Sequence, residues 1–573
     1  MHVVTTRRHY KDRVYETTLL RRSYREGAKV KSETLANLSH LPPEAIEAVR
    51  KVLAGKDLVE AGEGWDIERS LPHGHVAAAW AMAGKLGMAR LLGPPCPERD
   101  LALALVVARA VKPGSKLATT RWWQGTTMAE DLGLLDVSAD QVYGAMDWLV
   151  ARQGEVEKAL ARRHLSPGGR VLYDLSSSWV EGSHCPLAKR GHSRDGKMGK
   201  AQVEHGLTCD PEGRPIALEV FAGNTSDPTA FISEAEAVRE RFGLKDVLMV
   251  GDRGMVTSAR IDVLKKVGGL GWLTALRAPQ VAALVSSGAL QMSLFDEVGF
   301  AEISHPDYPG ERLVACRNPA LAEQRARRRE ELLVATEARL AEVKAAVERE
   351  ERPYRGKAKI ALRVGKVINR YKVAKHFEVE IGEDSFNFSR KADKISEEAA
   401  LDGIYVVRAS APHTEGLSAA ELVKGYKDLK VAEAGFKSLK TVDLEVRPIF
   451  HWTEDRVRAH VFICMLALYL VWHLRRAWAP LCFADEAPPE QTNPVAPARR
   501  SDGALAKAST KRRPDGEEAH SFKTLLGELA TLTRNTIVFA NGARITKLAV
   551  PTPLQRRAFE LVGVPVPLEL KPM

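Results

Sequence analysis

RVLYDLSSSWV (residues 170–180), AQVEHGLTCD (201–210) and PIALEVFAG (215–223) decide the fold. Each is rich in β-branched and apolar residues, and the last two flank the turn residues Pro211-Glu212-Gly213, so the trio is expected to form adjacent antiparallel strands. A helix-like stretch from 228 to 242 follows, then DVLMVGD (246–252). Its unbroken apolar run is that of a strand buried on both faces, as the parallel part of a mixed sheet requires. A short helix over Ser258–Val267 and the strand GWLTALR (271–277) complete the pattern.

Antiparallel strands followed by alternating helix and strand predict an α/β fold with a ribonuclease H-like mixed sheet. Working outward, residues 166–277 are the first part of this core, and GIYVVRAS (403–410) resumes it in a second part spanning 401–483. Residues 278–400 read as an inserted α+β domain holding the strand-like pieces LVAC, HFEVEI and FNFSR. The insertion also holds a charged helix over 319–351 with a thin apolar seam of Leu332, Leu340, Val343 and Val347. Before the core lie a basic N-terminal β/α element (1–74), with strands around Arg25-Glu26-Gly27, and a helical domain (75–165). After it come a Pro-, Ala- and Arg/Lys-rich linker expected to be disordered (484–519) and a small segment with strand character (520–573).

The chain of 573 residues is too long for one core, and its 45% hydrophobic and 27% charged content is ordinary globular composition. A net charge of +11 favours an acidic partner. The charge is concentrated at the start, where residues 1–31 carry nine Lys/Arg against three acids, the footprint of a nucleic-acid contact or of a solvated basic hairpin. Six scattered cysteines form no metal-ligand spacing, which argues for a reducing cytoplasm and against structural zinc. The N-terminus lacks the apolar stretch of a secretory signal, and the longest apolar run, Val461–Trp472, is twelve residues, short of a membrane span. A cytoplasmic protein with no membrane partner is expected.

Three acids fall at informative places. Asp174 closes the apolar half of the first strand and Asp252 ends the buried one, immediately before Arg253. On neighbouring strands both would meet at one sheet edge. YKDLKVAEAGFKSLK (426–440) supplies the third. Wound as a helix, it sets Tyr426, Lys430, Glu433, Lys437 and Lys440 within about 40° of one line, a lone carboxylate ringed by cations. Individually these acids have plain alternatives: a turn former at Asp174, a helix cap at Asp252, and an i,i+4 pair of Glu433 with Lys437. Together, three carboxylates repel unless cations offset them, and hard oxygen donors suit Mg²⁺ or Mn²⁺, two ions being expected for phosphodiester displacement. The lysines would then hold phosphates, Tyr426 could orient one, and the loop bearing Lys189, Arg190, Arg194 and Lys197 would touch the DNA backbone.

The spacing of Tyr426, Glu433 and Lys440, with YDLSSSWVEG, the loop KRGHSRDGKMGKAQV, GNTSD, GDRGM and EVRPIFHWTEDRVRAHVFICMLAL, resembles bacterial insertion-sequence DDE transposases of the YREK branch. The signature's arginine is Leu429 here, and Lys430 could take over its contact. The resemblance implies metal ligation by Asp174, Asp252 and Glu433, phosphate contacts from Tyr426 and Lys440, and an insertion domain that grips the transposon end. It also implies a dimer on double-stranded DNA at the terminal inverted repeats and the target, with no small-molecule cofactor. Trp272 could stack on a displaced base, although a core role suits it as well. The expected activity is cleavage at the element's ends and strand transfer. A nuclease of the same fold and a non-catalytic DNA-binding protein are the alternatives.

Overall fold

The computed structural model describes residues 1–573 except 57, 59–63, 245 and 296–298. It divides into two compact units, Met1–Leu71 with Thr533–Val550, and Pro72–Leu532 with Pro551–Met573.

The first unit opens with an antiparallel meander of β1 (His2–Tyr10), β2 (Arg13–Glu26) and β3 (Lys29–Asn37). Two tight turns join them, with Lys11 and Gly27 at positive φ. The expected hairpin at 25–27 is the second of these, and its residues are mostly exposed on both faces. A helix, Pro43–Leu53, and β4 (Trp65–Pro72) follow. The strands Thr533–Phe539 and Arg544–Leu548 pair beside β4 in one three-stranded sheet. Residues from opposite ends of the chain thus share a sheet, a non-local pairing that no local pattern encodes.

The second unit is built on an eight-stranded sheet. Its strands are β5 (Arg170–Trp179), β6 (Gln202–Cys209), β7 (Pro215–Ala222), β8 (Val247–Val250), β9 (Leu270–Ala275), β10 (Phe300–Ile303), β11 (Glu311–Arg317) and, beyond a separate hairpin of β12 (Phe377–Ile381) and β13 (Phe386–Arg390), β14 (Ile404–Ser410). They lie in the order β10-β11-β14-β9-β8-β5-β6-β7. β5, β6 and β7 are antiparallel, β8 lies parallel to both β5 and β9, and β14 returns antiparallel beside β9. Every residue of β8 is buried, as its apolar run required.

Strand β11, expected inside the insertion, instead pairs with β14 and carries β10 on its other edge. The inserted body is therefore smaller than 278–400. It comprises the Pro319–Val347 and Lys357–Ile368 helices, the β12–β13 hairpin and the Ala392–Ala399 helix, around a core of its own that includes Leu333, Leu340, Val343, Ile360, Val364 and Phe386. Leu332 packs only at the edge of that core; Leu333 fills its centre.

The Glu454–Ala477 helix runs through the middle of the unit, packing on β7 and on the Pro97–Val111 and Ala139–Ala151 helices. By length and composition it could cross a membrane, but 83% of its apolar window is buried inside the protein. Because the helices of 75–165 cover it, they belong to the same compact unit as the sheet. Residues 484–519, expected to be disordered, contain the Asp502–Thr510 helix, capped by Ser501. Its buried Lys507 donates to the Ala484 carbonyl (2.8 Å) and Glu486 (2.7 Å), contacts that composition alone does not reveal.

Candidate active site

Strand β8 is four residues long and ends at Val250, which pairs with Leu172 of β5. Beyond that pair β5 loses its parallel neighbour, and a cleft of about 450 Å³ opens beside it. Asp174 and Asp252 each lie two residues past the Leu172–Val250 pair. The Leu429–Lys437 helix packs across β5 and β6, burying Leu429, Ala432 and Phe436 and leaving Glu433 exposed. Asp174, Asp252 and Glu433, from three distant segments, all line this cleft, with Arg194, Lys437 and Lys440.

The carboxylates are held differently. Burial pushes Asp174 up to about 6, its Leu175 N–H (2.9 Å) and Arg194 pull it down, and the nearby charges of Glu433 and Asp252 raise it further. Asp252 closes a local turn by accepting from the Gly254 N–H at 3.2 Å. It is not a helix cap, because the next helix, Ser258–Val267, has Thr257 at its N-cap. Glu433 has no ion-pair partner within 4 Å among the described residues, so the alternative reading of it as an i,i+4 pair with Lys437 does not hold, although both face the cleft.

Three oxygen-donor side chains around one opening, one of them destabilised as an anion by burial first and then by the other two, fit a hard divalent cation in chemistry. The cleft is open rather than a closed cage: among the described residues no three His, Cys, Asp or Glu side chains are already grouped as a metal cluster.

The remaining expected contacts divide. Lys440 lines the cleft but is paired with buried Asp195 at 3.0 Å. Burial first, and Arg194 second, bring its ammonium down to about 8. Arg194 donates through its guanidinium to the Leu175 carbonyl, so it braces β5 as well as facing the cleft. Tyr426 closes the preceding helix, Ala419–Lys427, and is not a cleft wall; burial and then the charge of Asp252 raise its hydroxyl to about 12. The expected single helix over 426–440 is interrupted at Asp428, which pairs with Arg170 at 3.3 Å, and becomes a π-helix over Ser438–Val442. Lys430 is exposed and is not part of the cleft wall.

Arg253 lines a neighbouring cleft of about 890 Å³ together with Arg325, Arg328, Lys372 and Lys375 of the inserted body. Lys189 and Arg190 are exposed, and the Lys197 ammonium sits 5.5 Å from the Trp179 ring centroid. Trp272 is 3% exposed on a central strand, with Lys265 over its ring, so it is a core residue and cannot meet a displaced base. Asp195, Phe436 and Arg447 were not singled out in the sequence. Arg447 also pairs with Asp195, and the only sequence trace of that link was the acid inside the basic 189–200 loop.

Comparison with curated proteins finds no match to the chain. Residues 3–63 match the model of the IS1634 family transposase, N-terminal domain, which supports an insertion-sequence transposase, a protein that processes DNA.

Proposed function

We propose that the protein is a DDE transposase that cleaves DNA at the terminal inverted repeats of its element and joins the freed 3′ hydroxyls to target DNA. The observation that carries this reading is the convergence of Asp174, Asp252 and Glu433 on one cation-rimmed cleft. The strand order, with β8 parallel to β5 between two antiparallel edges, supports a ribonuclease H-like core. The match over residues 3–63 supports transposition as the process.

In this reading the three carboxylates hold two Mg²⁺ or Mn²⁺ ions, whose chemistry when bound is activation of the attacking oxygen and stabilisation of the leaving one. Burial raises the pKa of Asp174 to about 6, so its ionisation is one that a bound cation would favour. Lys437 and Lys440 offer charge to the scissile phosphate, and Lys440 does so from a position fixed by Asp195. Arg253 and the arginines of the inserted body hold flanking backbone, and Lys189, Arg190, Lys197 and Lys430 add exposed positive charge. Two ends require two sites, so the active species is a homodimer on DNA.

The test uses duplexes bearing the element's own ends. Asp174→Asn, Asp252→Asn and Glu433→Gln should each abolish cleavage with Mg²⁺ while end binding persists, and full cleavage by any one would sink the assignment. Precut ends supplied with target DNA should yield joined products; hydrolysis alone would make the protein a nuclease.

A further inference from the structure

Next to the acidic cleft lies a second cavity, of about 310 Å³, whose walls include Arg109, Lys116, Arg447, Phe450 and His460. Arg109 and Lys116 are 4% and 6% exposed. Arg109 donates to the carbonyls of Leu444 (3.3 Å) and Gly114 (2.6 Å). The Lys116 ammonium donates to His460 Nδ1 at 3.1 Å, since His460 Nε2 is committed to the Val446 carbonyl at 2.9 Å. Among the described residues neither cation pairs with a carboxylate within 4 Å; Glu445, exposed on the rim, reaches neither.

Two like charges taken out of water beside one another, without a counter-ion, are costly. The strain is visible in the titration of the group: burial first, and Arg109 second, bring Lys116 down to about 7. Burial and these same cations hold His451 and His460 below the usual imidazole range, so the cavity's charge is that of Arg109, joined by Lys116 at and below about pH 7. The Lys116–Gln124 helix also begins here, adding the positive end of its dipole. An anion with several acceptor oxygens meets all of these needs at once, and a phosphate is the anion that a DNA-processing protein encounters.

The cavity's position identifies the phosphate's carrier. Arg447 on its wall and Lys440 on the wall of the acidic cleft share Asp195 as partner, so one buried acid links the walls of the two openings. Phe450, 57% exposed, stands at the rim as a flat apolar surface, the kind on which an unpaired base stacks.

We propose that this cavity is a phosphate-binding site in which Arg109 and Lys116 hold a backbone phosphate of a DNA strand running out of the acidic cleft, with a base laid on Phe450. The phosphate site stands on the two uncompensated cations; only the naming of DNA as its source rests on the proposed function.

The test titrates full-length protein in EDTA, where no cleavage occurs, with labelled duplex and single-stranded DNA of arbitrary sequence over a range of salt. Lys116→Met should weaken binding roughly tenfold, the loss of one charge-assisted hydrogen bond, and lower the slope of log K against log salt by about one. Lys116→Arg should restore the slope, and Phe450→Ala should weaken the single strand more than the duplex. In a parallel arm, inorganic phosphate should raise the wild-type melting temperature above that in chloride of equal ionic strength, and Lys116→Met should lose this rise. A response to inorganic phosphate with no change in DNA binding keeps the site and overturns DNA as its source. No response in either arm overturns the site, whereas loss of end cleavage in wild type would overturn the proposed function and leave the phosphate arm standing.

Discussion

In the acidic cleft, Asp252 and Glu433 are exposed and only Asp174 is largely covered, so water screens much of the mutual repulsion. In the adjoining cavity both cations are almost wholly buried, and among the described residues no carboxylate pairs with them within 4 Å. Between the two, Asp195 is 4% exposed as a side chain and pairs with both Lys440 and Arg447. The same chain thus handles charge in three ways: screened, satisfied and uncompensated. Screened and uncompensated groups have their full charge left for a ligand, whereas the satisfied ones share theirs with Asp195, and Lys440 offers a ligand only what that pair leaves.

That ordering sets the size of the expected effects. Neutralising one of the screened carboxylates should act on chemistry and hardly on folding. Glu433→Gln should lower the end-cleavage rate by on the order of a thousandfold or more, equivalent to about 4 kcal/mol of barrier, with an unchanged melting temperature. A parallel fall in stability would mean that Glu433 belongs with the satisfied group. Asp195→Asn should do the reverse. It strands two cations, and breaking a buried pair of this kind costs about 3–5 kcal/mol, readable in denaturant unfolding of the metal-free protein. An unperturbed Asp195→Asn would erase the distinction between the two kinds of site.

The uncompensated cavity predicts a gain. Lys116→Met should stabilise the phosphate-free protein by roughly 1–4 kcal/mol at neutral pH. The sign of its pH dependence follows from a pKa lowered on folding, from 10.5 to about 7. Below about 7 the folded protein must carry the buried charge, so the advantage of methionine is full there. Between about 7 and 10.5 the native lysine is neutral while the unfolded one is still charged, and the advantage shrinks with rising pH. A difference between variant and wild type that grew with pH would contradict the assignment of Lys116 as the strained charge.

How much of this was legible in the sequence followed the same division. Strands β5 to β9 were readable because parallel burial imposes continuous apolar runs and tight turns impose Pro and Gly, both local signals. The acids stood out because Asp174 breaks the apolar run of its strand, Asp252 follows the end of another, and Glu433 is the lone carboxylate on a cationic helix face. The pairing of β11 with β14, and of the 533–548 strands with β4, rests on contacts across long stretches of chain and left no local mark. Trp272 carried the opposite lesson, since an aromatic on a central strand reads the same whether it faces a ligand or the core; only packing places it inside. Arg109 and Lys116 were invisible for a similar reason, one lying within an apolar helix and the other opening the next, where a lone cation normally reaches water.

The smallest expected effect separates exposed charge from cleft charge on a single helix. Lys430 and Lys437 both project into solvent, but only Lys437 lines the acidic cleft. An exposed cation acts on DNA through the general field, so Lys430→Ala should weaken binding of any duplex about equally and leave cleavage of bound ends unchanged. Lys437→Ala should weaken binding to a similar degree and in addition slow cleavage at saturating DNA, because its ammonium faces the reacting phosphate. Equal cleavage rates for the two variants would show that the cleft wall, at that turn of the helix, is only another part of the basic surface.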